Sequence, residues 1–261
     1  MNPSVNKNFI ITPQNTQEFV SKIGSFIKSC LESAGAKGVI LGMSGGIDCS
    51  TVARICQSNG IYVKLVMLPD GSSMSIQNSM TDAMSLINKF NFEYKTIDIS
   101  TACNQLERAT EAELSDISRI NIRPRIRMTT LYTIAQNEGL LVIGTGNLDE
   151  RLLGYFTKWG DGASDLNPLG MLTKGEVRIL ARYLDVPKGI IDKPPSAALF
   201  EGQTDEADLG FTYDEIDRYI LNGTTENPET DKKLETRITA CSHKLQPIKI
   251  FENGESQQHG T

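Results

Sequence analysis

The 261-residue chain has little of several things that would narrow its class at once. Its five cysteines, Cys30, Cys49, Cys56, Cys103 and Cys241, are odd in number and form no C-x-x-C pair. Neither a zinc framework nor a disulfide scaffold is written into them. No apolar run reaches membrane-spanning length, and Met1 to Thr12 lacks the basic start and apolar stretch of an export signal. These absences predict a soluble protein of a reducing compartment, the cytoplasm. A basic excess is missing too: 26 Lys and Arg against 32 Asp and Glu leave a net charge of −6. That argues against nucleic acid as a partner, because such affinity comes from neutralised phosphates. The remainder is ordinary, with 39% hydrophobic and 22% charged residues, which fits a packed chain and not a disordered one.

Helical and strand patterns alternate along the first half. Asn15 with Glu18 marks a helix start, and Phe19, Ile23, Phe26, Ile27, Cys30 and Ala34 follow as one buried stripe. Buried strands are expected at 39–41, 62–68, 94–99 and 140–143. Helices are expected between them at 48–58, 78–90, 101–115 and 124–137. No tight hairpin signal joins two strands. The pattern predicts an α/β protein with a parallel sheet covered by helices on both faces, a three-layer α/β/α arrangement. In such sheets, ligands bind beyond the carboxyl ends of the strands.

Beyond residue 146 the chain becomes helical and loop-rich. Thr173 with Glu176 and Thr212 with Glu215 read as capping boxes. Residues 192–208, with Pro194-Pro195, read as a mobile loop. A final helix near 231–245 carries Leu234, Ile238, Cys241 and Leu245 on one stripe. Residues 1–250 are expected to form a single domain, and 251–261 a polar tail without fixed structure.

Two segments fall where a strand ends. The first is Gly42-Met43-Ser44-Gly45-Gly46-Ile47-Asp48-Cys49-Ser50, between a strand and a helix. Its glycines let successive N–H groups converge on an anion, and the helix N-terminus adds positive potential. It matches neither the Walker loop nor G-x-G-x-x-G. Asp48 would repel phosphate unless Mg²⁺ bridges the two. The alternative is a tight strand-to-helix turn with an ordinary first-turn acid. The second segment is Gly144-Thr145-Gly146-Asn147-Leu148-Asp149-Glu150. If its strand lies beside the first, Glu150 and Asp48 face one crevice. The run from Tyr155 to Asp165, with two glycines and a Phe156-Thr157-Lys158-Trp159 core, reads as a ligand loop.

The order and spacing of these segments resemble ammonia-dependent NAD synthetase, a family of the ATP-pyrophosphatase-loop superfamily. The resemblance extends through Asn121-Ile122-Arg123-Pro124-Arg125-Ile126-Arg127-Met128, Lys193-Pro194-Pro195-Ser196-Ala197, Gln203-Thr204-Asp205-Glu206 and His243-Lys244. It implies a Rossmann-like, adenine-nucleotide alpha-hydrolase-like fold. It also implies a ligase that amidates deamido-NAD with ATP and ammonia, releasing AMP and pyrophosphate through an adenylated intermediate. Carried over position by position, Gly42, Met43, Ser44, Gly45, Gly46, Ile47, Asp48 and Cys49 hold ATP, joined by Thr145, Lys174 and Ser196. Asp48 and Glu150 hold Mg²⁺; Asp48 and Lys174 carry the catalytic roles. Arg125, Lys158, Asp165, His243 and Lys244 hold deamido-NAD. A homodimer with the acceptor site near the interface is implied as well.

The residues agree with these roles to different degrees. Lys174, inside a capped helix start, would otherwise be an exposed first-turn lysine. Arg125 and Arg127 point to different sides of their helix, and one of them is expected to be merely solvated. Only the resemblance selects Arg125. His243 falls opposite the buried stripe of its helix, toward solvent or a ligand. Cys49 stands where the family often has Ser, and no nearby His suggests a nucleophile. Asn147, Leu148 and Asp149 carry no assigned role. No glutaminase domain precedes the core, so free ammonia is the expected nitrogen donor. Residues 70–80 and 196–210 are expected to order when substrates bind. A GMP synthetase-like ligase and a non-catalytic adenine-nucleotide sensor keep the glycine loop, but need less of the remaining set.

Overall fold

A computed structural model describes residues 7–71, 73–111, 113–195 and 204–251. The first half runs α1 (Thr16–Ala34), β1 (Val39–Gly42), α2 (Ile47–Ser58), β2 (Val63–Met67), α3 (Met74–Phe90), β3 (Tyr94–Thr96), α4 (Ser100–Ala109), α5 (Asp116–Glu138) and β4 (Leu141–Val142). The second half is helical: α6 (Leu148–Leu152), α7 (Lys174–Tyr183), α8 (Lys188–Asp192), α9 (Asp205–Leu209), α10 (Tyr213–Asn222) and α11 (Pro228–Cys241), then a 3₁₀ turn at Ser242–Lys244.

The strands pair in parallel in the order β3-β2-β1-β4. Alternation along each strand feeds two cores. Val39 and Leu41 of β1, with Val63, Leu65 and Met67 of β2, pack against α1, α2, α3 and α7. Ile40 and Val66 pack on the other face, against Cys103 of α4 and Ile122, Leu131 and Ala135 of α5. The three-layer α/β/α arrangement is therefore present. A third cluster, Leu153, Leu209, Phe211, Tyr213, Ile216, Tyr219, Leu234 and Ile238, joins the later helices beyond the sheet. Among the described residues, no helix is long and apolar enough to cross a membrane.

Several expected boundaries move, each for a packing reason. The buried stripe of α1 runs through Thr16, Val20, Ile23, Gly24 and Ile27, whereas Phe26 is 46% exposed and Ala34 is exposed. The helix has turned so that Gly24 meets Asn59, where a Cβ would collide with the amide. Asn15 does begin α1, but its Oδ1 accepts from the Thr12 amide (2.8 Å) and makes no capping box. Helix α3 starts at Met74, four residues early, because Ser73 caps it. Helix α5 starts at Asp116 under the Ser115 cap and carries Pro124 inside it. Strand β3 is an exposed edge of three residues, and α4 ends at Ala109. The last helix stops at Cys241, so Leu245 leaves the stripe and is 40% exposed. Within the expected mobile loop, α8 reaches Asp192 and α9 is helical from Asp205; residues 196–203 lie outside the described residues. The tail from residue 252 lies outside them too.

Candidate active site

The phosphate loop follows β1 directly. Met43 N still donates to Val66 O (2.8 Å), so the sheet extends to the loop's entrance before the chain turns at Gly45 (φ +81°). A side chain at Gly45 would collide with the Ser79 carbonyl of α3, so close packing demands glycine there. Helix α2 begins at Ile47 behind Gly46, with no side-chain cap. An uncapped helix N-terminus of this kind is suited to an anion. Ser44 Oγ lies 3.3 Å from Cys49 Sγ, and Cys49 Sγ donates to Gly46 O (3.2 Å). The thiol thus braces the loop.

Pairing of β1 with β4 brings the second segment alongside. Asn147 caps α6: its Oδ1 accepts from the Glu150 amide (3.0 Å), and Glu150 Oε2 accepts from the Asn147 amide (3.1 Å). The Asn147 side-chain amide also donates to Asp48 Oδ1 (3.1 Å). Asn147, given no role from the sequence, is therefore the tie between the two segments. The N-x-x-E capping pattern was the available signal.

Lys174 is the centre of the arrangement. As the first residue of α7 it is 2% exposed, not the solvated lysine that a helix start usually carries. Its Nζ donates to Asp48 Oδ2 (2.6 Å), lies 3.6 Å from Glu150 Oε1, and sits 5.1 Å from the centre of the Tyr213 ring. Burial opposes the charge on this ammonium, but Asp48 and Glu150 outweigh it and hold its pKa above the ordinary lysine value. Burial pushes Glu150 up to about 8; Lys174 pulls it down and Asp48 pushes it up. Asp205, 5% exposed at the start of α9, accepts from Tyr213 Oη (2.9 Å) and is also raised by burial. Behind α7, Asp149 Oδ2 accepts from the Lys174 amide (3.0 Å) and Asp217 Oδ2 from the Gly175 amide (2.8 Å). Burial first, and then the charge of Asp217, push Asp149 well above its ordinary value, and burial raises Asp217 as well. Asp205 stands in the Gln203-Thr204-Asp205-Glu206 segment but was given no role, and Tyr213 and Asp217 were not singled out; Asp217 meets Gly175 from 42 residues away.

The remaining expected residues are spread more widely. Thr145 lies on the β4–α6 loop and, with Glu150, Phe156 and Lys244, lines a cavity of about 870 Å³ whose far wall is Phe9, Phe19 and Phe26. Arg125 is exposed on α5. Arg127 is not merely solvated: it donates to Leu68 O (3.0 Å) and Asp70 Oδ1 (2.9 Å). Asp165 accepts from the Val142 amide (2.7 Å) and Tyr132 Oη (3.2 Å), and Lys158 Nζ donates to His243 O (3.4 Å). The imidazole of His243 is exposed on the 3₁₀ turn, and Lys244 Nζ donates to Gly154 O (2.6 Å) and Phe156 O (2.9 Å). Ser196 lies outside the described residues.

A parallel sheet with an uncapped glycine loop at its carboxyl edge, and acids beside it, defines an adenine-nucleotide alpha-hydrolase-like protein. The profile of the NAD synthase family matches residues 19–249, and the chain belongs to that family. An NH(3)-dependent NAD(+) synthetase of Carboxydothermus hydrogenoformans is 41% identical over 219 residues, covering 80% of this chain and 87% of that one. Among solved structures, an NMN synthetase of Francisella tularensis superposes with a TM-score of 0.86 at 35% identity, covering 94% of this chain and all of that one. The NH3-dependent NAD synthetase of Campylobacter jejuni gives 0.77 at 30% identity, covering 91% and 99%.

Proposed function

We propose that this chain amidates deamido-NAD with free ammonia, using ATP and releasing AMP and pyrophosphate. The observation that carries the reading is the buried Lys174 ammonium between the half-buried carboxylates of Asp48 and Glu150, beside the uncapped N-terminus of α2. A carboxylate resists ammonia because its leaving group would be oxide. Attack of a carboxylate oxygen on the α-phosphorus of ATP expels pyrophosphate and leaves a mixed anhydride. Ammonia then attacks the carbonyl carbon, AMP departs, and the nitrogen loses a proton. In this scheme the amides after Gly45 and the first turn of α2 orient the triphosphate. Lys174 Nζ neutralises charge growing on the departing pyrophosphate.

The donor set fits Mg²⁺. Two carboxylates on facing segments supply hard oxygen ligands and leave the other positions for phosphate and water. Asp48 and Glu150 would hold the ion, and Mg²⁺ would supply charge stabilisation to the phosphate oxygens. We read Thr145 as an ATP contact and the expected Ser196 as another. Arg125, Lys158, Asp165, His243 and Lys244 would bind the acceptor. Because most of that group lies on an exposed face, a homodimer completing the acceptor site is part of the proposal. So is a single functional domain over residues 1–250.

A second acceptor, the nicotinate mononucleotide, is favoured by the superposition on the Francisella NMN synthetase. Incubating the protein with ATP, Mg²⁺, ammonium and each acceptor in turn, and following amide and AMP, tests both. NAD formation with equimolar AMP is expected. AMP with amide from the mononucleotide alone moves the acceptor to the smaller substrate. No amide from either acceptor overturns the reading, and nucleotide binding without AMP favours the sensor.

A further inference from the structure

Lys174 reaches Asp48 from the first turn of α7, so the placement of that turn sets the placement of its ammonium. Several contacts hold that turn: Ile11 N donates to Glu176 Oε1 (2.9 Å), Lys7 pairs with Glu176, and Asp149 of the second segment accepts from the turn's own backbone. The contact on both sides of Lys174 comes from α10, in the helical half of the molecule. Asp217 Oδ2 accepts both from Thr173 Oγ1 (3.1 Å), the cap residue of α7, and from the Gly175 amide (2.8 Å). These two donors flank Lys174 in sequence. On the other side, Asp149 Oδ2 accepts from the amide of Lys174 itself. One turn before Asp217 on the same helix, Tyr213 lies beneath the Lys174 ammonium and is fully buried.

The approach of Asp217 depends on the residue at 175. A Cβ built on Gly175 would overlap Asp217 Oδ2, and its next neighbour would be nearly 4 Å away, Asp217 Cγ at 3.7 Å. The glycine is therefore required by this carboxylate and by nothing else close to it. Helix interiors otherwise favour alanine over glycine. Glycine in the first turn of α7 leaves the room that the Asp217 contact occupies.

We propose that Asp217 is a positioning residue for the reaction, holding the first turn of α7 against α10 so that Lys174 stays aimed between Asp48 and Glu150. This rests on the functional reading above, in which Lys174 meets the departing pyrophosphate. Asp217 itself touches no substrate. A displacement of the turn by about an ångström would lower turnover while leaving the exposed acceptor residues in place.

The test is a two-by-two cycle of Gly175→Ala and Asp217→Ala, with Asp217→Asn as the conservative variant, measured for kcat, both KM values and Tm. D217A is expected to lower kcat roughly 10- to 100-fold while KM for deamido-NAD stays within about twofold. D217N keeps an oxygen for Gly175 and Thr173 and turns an amide hydrogen toward Asp149, so it should recover most of the turnover. G175A should cost turnover and lower Tm with Asp217 present, yet cost no further turnover and raise Tm in the D217A background. Equal losses from G175A in both backgrounds, or D217N as slow as D217A at unchanged Tm, would overturn the assignment. If D217A does not fold, Asp217→Ser takes its place in the cycle under the same criteria. Failure of the functional reading is distinguishable, because the wild-type protein would then form no amide, whereas the Tm arm of the cycle still reports on the contact.

Discussion

The proposed nucleotide side and the proposed acceptor side of the candidate site are built in opposite ways. On the nucleotide side, Lys174 is buried and held at 2.6 Å by Asp48, which Asn147 holds in turn, and α6 and α7 are closed by capping boxes. On the acceptor side, Arg125 and His243 are exposed, and Lys158 reaches only a backbone carbonyl at 3.4 Å. The contrast follows from what each must do. Charge stabilisation in a reaction needs dipoles fixed before the reaction starts, and burial both fixes and strengthens them. Recognition of a long acceptor can be assembled on binding from solvated side chains at modest cost in each.

The sharpest way to break this comparison is Asp48→Asn. It keeps the shape and an oxygen for Lys174 but removes a charge from the buried centre. Turnover should fall at least about 100-fold, some 2.7 kcal/mol, with the circular dichroism spectrum unchanged. If Arg125→Ala lowered kcat as far, the two sides would not be separate.

A smaller effect sharpens the electrostatic half of the contrast. Burial raises the Glu150 pKa in the folded protein to about 8, so between the ordinary glutamate value and pH 8 the folded state holds a proton that the unfolded chain has released. Stability therefore falls as pH rises through that window and levels off above it. Glu150→Gln removes this contribution. Without divalent cation, its Tm should exceed that of the wild type at pH 8, and the gap should narrow toward pH 5. A gap independent of pH would mean that Glu150 is not buried against its charge.

The smallest effect belongs to the exposed face. Arg125→Ala should raise KM for the acceptor by about tenfold, near 1.4 kcal/mol, with kcat and the KM for ATP within about twofold. An unchanged KM would remove Arg125 from the acceptor set.

Legibility in the sequence follows the same division between local and distant. The glycine bend, the strand before it and the helix after it could be read because hydrophobic period and turn chemistry act over a few residues. The adjacency of Glu150 to Asp48 was legible only as a condition on strand order, which the β1–β4 pairing meets. The capping boxes at Thr173 and Thr212 were legible outright. The stripe of α1 was legible at Ile23 and Ile27, which are buried, and at Phe19 and Cys30, which pack against the core. It was misread at Phe26 and Ala34, because apolar content does not say which side a glycine such as Gly24 lets a neighbour approach. The length of α5 was misread at Pro124, which the helix carries within it.

By itself, the amino-acid order determined the alternation of strand and helix, the glycine bend after the first strand, and the family to which the chain belongs. These are short-range properties, written in spacing and in a handful of special backbone positions. Only the folded chain decided that Lys174, 126 residues beyond Asp48, would become its buried counterion, and that Asp217 would stand behind it. Which two charges meet across such a distance depends on how whole helices pack, and close packing is a property of the assembled interior.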